Sequence, residues 1–111
     1  MIEHTSLLDG LRELASLDLQ IRLWLDGEDD QMSSFTEAIC KVFDDSGLTR
    51  IVEANELKKY FPDEICSRIN NLDRLINCVP EFAEPHEIVE HPEMNQIRLV
   101  AAELLKLLGT K

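Results

Sequence analysis

Apolar residues recur at three- and four-residue steps along almost the whole chain, and this period narrows the available folds more than any other feature. A stripe at that spacing lies on one face of an α-helix, whereas a half-buried strand needs strict alternation. The clearest stripe is C-terminal. Pro92 and Glu93 open it, and Met94, Ile97, Ala101, Leu104, Leu105 and Leu108 recur until Gly109. Near the start, Leu7, Leu8, Leu11, Leu14 and Ala15 form a similar face, with Thr5 or Ser6 as the expected cap. Gly10 inside that helix weakens it by ~1 kcal/mol on propensity alone.

Leu17 to Leu25 admits two periods. Leu17, Leu19, Ile21, Leu23 and Leu25 alternate with polar residues and Trp24, which suits a strand. Leu17, Ile21, Trp24 and Leu25 also make a helical stripe, Leu and Gln are good helix formers, and β-branched residues are nearly absent. A lone strand also needs a partner, and no second convincing strand is written elsewhere. The stretch is therefore expected to be a helix from a Ser16 cap to Gly27.

Ser34-Phe35-Thr36-Glu37 has capping-box spacing and precedes the stripe Phe35, Ala38, Ile39, Val42 and Phe43. That helix should end at Asp44-Asp45-Ser46-Gly47, with Gly47 left-handed. The two aspartates oppose the helix dipole there, a local misfit that points to a role outside folding. Leu48, Ile51 and Val52 suggest a short helix, and Leu57, Tyr60 and Phe61 a further turn. Pro62, Asp63 and Glu64 then start a longer helix carrying Ile65, Ile69, Leu72, Ile76 and Val79. The expected architecture is all-α: one compact domain, residues 1–111, built as a bundle of five or six short helices.

At 111 residues, with 44% hydrophobic and 30% charged residues, the composition is that of a folded domain and not a disordered one. Acids outnumber bases 22 to 11, for a formal net charge of −11. That balance opposes direct nucleic-acid binding and anionic membrane surfaces, both of which rely on Lys and Arg. The acidic start carries no evident targeting signal, and no apolar run approaches the ~20 residues of a membrane span. Cys40, Cys66 and Cys78 include no CxxC pair. On one helix Cys66 and Cys78 would lie about 18 Å apart, beyond the roughly 7 Å that a disulfide tolerates. Three buried, reduced thiols in a cytoplasmic protein are expected.

No catalytic motif stands out. His86-Glu87-Ile88-Val89-Glu90-His91 spaces its histidines by five, not the four of a zinc-binding HExxH helix, which turns the rings about 140° apart. Pro85 and Pro92 bracket it, so solvated loop histidines are the better reading. The acidic loop from Asp26 lacks the central glycine of a calcium loop: its sixth position is Gln31. No glycine-rich phosphate loop and no nucleophile elbow occur. The expectation is a protein that is not an enzyme and has no cofactor, metal or catalytic residue.

The distribution of charge says more than its total. Asp26 to Asp45 holds seven acids and one base, Lys41, and Glu81 to Glu93 holds five acids and no base. Those two segments account for the whole net charge of −11, and the remainder balances. In the second segment Glu81, Glu84, Glu87, Glu90 and Glu93 fall at every third position, reading as an extended or irregular acidic strip stiffened by Pro80, Pro85 and Pro92. Solvation alone accounts for acidic loops in many proteins. Concentrating the excess in two places favours a complementary surface for a basic partner, which speeds association. The residues expected to form that surface are Glu28, Asp29, Asp30, Asp44, Asp45, Glu84, Glu87 and Glu90.

Trp24-Leu25, Ser34-Phe35-Thr36-Glu37, Phe43-Asp44-Asp45-Ser46-Gly47-Leu48, and His91-Pro92 before an amphipathic helix together resemble segments of small bacterial helical proteins. In size, acidity and helical content the chain is similar to immunity proteins of contact-dependent growth inhibition and related nuclease toxins. The resemblance implies a cytoplasmic protein that binds a cognate toxin domain and covers its active site or substrate groove. It carries over no catalytic residue. The other reading is a regulatory or adaptor domain that docks a basic protein or mimics nucleic-acid charge.

Overall fold

The computed structural model describes residues 4–26, 34–80 and 83–109, and helices dominate all three stretches. In chain order they are α1 (His4–Ala15), α2 (Leu17–Gln20), α3 (Phe35–Ile39), α4 (Leu48–Glu53), α5 (Leu57–Tyr60), α6 (Asp63–Ile76), α7 (Pro85–Val89) and α8 (Pro92–Gly109). Two continue without a break into wider π-helical turns: α2 into π1 (Ile21–Asp26) and α3 into π2 (Cys40–Asp45). Counted with those continuations, five helices run ten residues or more, and α4, α5 and α7 are single-turn connectors. The described residues contain no strand, so the expected all-α bundle is the observed one.

Local chemistry sets most boundaries where the residue types predict them. Ser16 caps α2 by accepting from the Leu19 N–H at 3.1 Å, and Ser34 caps α3 by accepting from Glu37 N–H at 3.1 Å. Gly47 is left-handed at φ 85°, as a residue following a helix end should be. At the end of α4, Asn55 takes φ 59°. Its N–H donates to Val52 O and that of Glu56 to Ile51 O, both at 3.0 Å. This pair of bonds is a Schellman motif with asparagine in place of glycine. Thr5 and Ser6 lie inside α1 and do not cap it, because the helix already includes His4.

One core joins the elements. Leu7, Leu11 and Leu14 of α1 are buried with Ile97, Ala101 and Leu104 of α8, and α6 closes on α8 with Ile65, Ile69, Leu72 and Ile76. The Cα radius of gyration, 13.4 Å, matches the ~13 Å expected of a compact chain this long. α1 also crosses π2. The crossing needs Gly10, since a Cβ there would sit 2.6 Å from Val42 Cγ2 and 2.8 Å from the backbone oxygen of Ala38. The glycine that weakens α1 by propensity is what lets the two helices meet.

Three expectations require correction. The buried face of α2–π1 is Gln20 and Trp24, whereas Leu17, Ile21 and Leu25 are exposed. The face is rotated because the Gln20 amide donates to the carbonyls of Glu13 and Leu14 at 2.8 and 2.9 Å, filling sites that a leucine would leave empty. Only Cys66 of the three cysteines is buried; Cys40 is half-buried and Cys78, in the turn after α6, is exposed. The second acidic segment is not extended through its centre. Pro85 at the first helical position, with Glu87 accepting from the Glu84 N–H at 3.2 Å, starts α7, and buried Ile88 and Val89 hold it down.

Candidate binding groove

The π2–α4 corner is built around Ser46, a fully buried polar residue. Its hydroxyl donates to Val42 O and accepts from the Leu48 N–H at 3.1 Å, so one side chain ends π2 and begins α4. With Gly47 making the left-handed turn, Asp44 is brought beside the first turn of α4, and Thr49 Oγ1 donates to Asp44 Oδ1 at 3.1 Å. Asp44, one of the two carboxylates that oppose the helix dipole, thus lines a groove between π2, α4 and the end of α6.

The groove encloses about 510 Å³, a size typical of ligand pockets. Phe35, Ile39, Phe43, Val52, Ile76 and Val79 form its floor, and Asp44, Glu53 and Asp73 are the charged groups of its rim, with Thr49 and Asn77 between them. None of the described residues lining it is a lysine or arginine. A recess of about 270 Å³ continues along α4, sharing Phe43, Asp44, Thr49 and Glu53 and ending at Arg50. Such a site suits a ligand with an apolar body and positive charge.

Behind the floor lies a polar network. Phe35 meets the ring of Trp24 edge-on, with centroids 6.0 Å apart. The Trp24 indole N–H donates to Glu13 Oε1 at 3.2 Å, and the Lys41 ammonium pairs with Glu13 Oε2. Glu13 is 5% exposed, and Trp24 and Lys41 come one from each π-helical segment. The bond to Glu13 holds the Lys41 pKa above the ordinary lysine value, outweighing the opposing effect of burial. A second set of bonds fixes α8: Arg98 donates to Gln20 Oε1 at 2.9 Å and to Val89 O at 2.6 Å. Burial lowers the Arg98 pKa.

The acidic residues singled out in the sequence separate into groups. Asp44 lines the groove, and Asp45 is exposed next to it in the chain. Glu84, Glu87 and Glu90 are exposed on or beside α7, which packs against π1, and Glu87 is also engaged at the start of its own helix. Glu28, Asp29 and Asp30 lie outside the described residues, as does most of the acidic loop compared with a calcium site. Glu53 and Asp73 were missed, since both fall in the part of the chain whose charges balance. The histidines do not converge: His86 is exposed on α7, and His91 Nδ1 accepts from the Glu93 N–H at 3.1 Å, capping α8. Among the described residues no group of three or more His, Cys, Asp or Glu is placed to hold a metal ion, and no helix is long and apolar enough to cross a membrane.

Comparison of the chain with protein-family models, curated proteins and solved structures finds no match in any of the three.

Proposed function

We propose that this protein is an acidic binding protein that neutralises a cognate basic toxin domain, of the immunity or antitoxin type and most naturally directed at a nuclease. It acts in the cytoplasm by covering the active site or substrate groove of its partner and is not itself an enzyme. The observation that carries the reading is the groove, whose apolar floor is rimmed by Asp44, Glu53 and Asp73 with no lysine or arginine in its main chamber. A nuclease domain must present Lys and Arg to phosphates. An acidic surface that meets those cations excludes the nucleic acid and accelerates encounter.

Affinity capture from the native host followed by growth rescue tests this. The captured protein should contain a basic domain that arrests growth when expressed alone, and co-expression with this chain should restore growth. Their association should weaken steeply toward ~0.5 M salt, where exposed charges are screened within a few ångströms. A captured partner that is harmless to the cell, or whose affinity ignores salt, would overturn the proposal.

A further inference from the structure

We infer that the π2–α4–α6 groove receives an apolar side chain of the partner, carried on a polypeptide segment flanked by lysine or arginine. This rests on the proposed reading and narrows it to one face of the molecule. The argument is complementarity at two levels. The side chains of Phe35, Phe43, Val52 and Ile76 on the floor offer a bare ammonium or guanidinium group no hydrogen-bond partner. The rim of Asp44, Glu53 and Asp73 is too acidic to suit a purely apolar or acidic segment. About 510 Å³ holds more than one side chain. Such an anchor, seated in a pocket and ringed by charge pairs, is the arrangement from which interfaces draw most of their affinity. Asp44 belongs to both chambers and lies near the end of the first acidic segment, so the groove includes one of the residues expected to attract the partner.

The test uses the full isotope-labelled chain and three synthetic hexapeptides: Lys-Lys-Phe-Leu-Lys-Lys, hexalysine, and Glu-Glu-Phe-Leu-Glu-Glu. The first should give saturable amide shifts centred on Asp44, Thr49, Glu53, Asp73 and Asn77. It should also change the emission of Trp24, the single tryptophan, through its contact with Phe35. Hexalysine and the acidic peptide should bind about tenfold more weakly or not at all, a difference of roughly 1.4 kcal/mol. Glu53→Lys with Asp73→Lys should weaken the first peptide by a similar factor, and Glu53→Lys alone, at an exposed site, repeats the test if the double variant unfolds. Equal binding of hexalysine, shifts centred on Glu84 to Glu90, or no binding by any of the peptides would overturn the inference. With the captured partner in hand the two proposals separate. Affinity that falls with Glu90→Lys but not with Glu53→Lys removes the groove and leaves the acidic binding protein, while indifference to both variants and to salt removes both.

Discussion

Gly10→Ala sets helix propensity against packing, and the two predict opposite signs. Gly10 lies in the interior of α1, where alanine is intrinsically favoured by about 1 kcal/mol. On that basis alone the substitution should raise stability. In the folded protein the new methyl group would lie 2.6 Å from Val42 Cγ2, 2.8 Å from Ala38 O and 2.9 Å from Lys41 Cβ. A side chain can yield by a rotamer change, but Ala38 O belongs to the backbone of α3, so α1 itself must move away. Overpacking of this kind typically costs 1–3 kcal/mol, and three simultaneous contacts place Gly10 in the upper half of that range. Subtracting the propensity gain leaves a net loss of about 1–2 kcal/mol. At roughly 4–6 °C per kcal/mol for a domain of this size, the Tm should fall by about 5–10 °C. Thermal denaturation followed by circular dichroism, with urea unfolding as a second measure, would show it. An unchanged or higher Tm would mean that α1 and π2 are not in contact at this residue, and the explanation of Gly10 as a crossing point would fail.

Glu13→Ala removes the acceptor shared by Trp24 and Lys41 and should cost about 2 kcal/mol in urea denaturation, with a shift in Trp24 emission; a cost below ~0.5 kcal/mol would leave the network without structural weight. Because the Lys41 pKa is raised on folding, the stability that this pair contributes is fully present below the unfolded value of about 10.4 and is lost as pH rises through the folded value. Wild type and Lys41→Met should therefore differ by a constant amount from pH 7 to 9 and converge in more alkaline solution, which parallel urea titrations would reveal. Asn55→Gly relieves a left-handed residue at the end of α4 and should stabilise by about 0.5 kcal/mol, read from the urea midpoint. Leu17→Gln, at an exposed position, should change stability by less than about 0.5 kcal/mol, whereas Gln20→Ala, which removes a donor from the Glu13 and Leu14 carbonyls and an acceptor from Arg98, should cost about 2 kcal/mol; the reverse order in the same assay would restore the face that the leucine pattern suggests.

Elements announced by several independent signals were legible in the sequence. α8 has a proline start, an unbroken apolar stripe and a terminal glycine, and α3 with its continuation π2 has a serine cap and five apolar positions, four of them buried. What failed had one cause each. The face of α2–π1 was misjudged because Gln20 is buried by bonds to Glu13, Leu14 and Arg98, the last of these 78 positions away. The helical centre of the second acidic segment was obscured by prolines, although Pro85 is in fact the residue that starts α7. For the groove the failure is geometric. Summed along the chain, Glu53 is offset by nearby Arg50, and Asp73 by its neighbour Arg74, so neither registers as excess charge. Successive residues on a helix point about 100° apart, and the fold uses that angle to separate Asp73 from Arg74, whereas Glu53 and Arg50, three apart on α4, line the same recess. Asp73 faces the groove, while Arg74 lines a different surface recess with Arg68 and Glu103. A chain can therefore be electrically balanced residue by residue and strongly polarised face by face. The acidic rim of the groove is assembled by helix rotation, and Asp44 belongs both to that rim and to the acidic segment visible in the sequence.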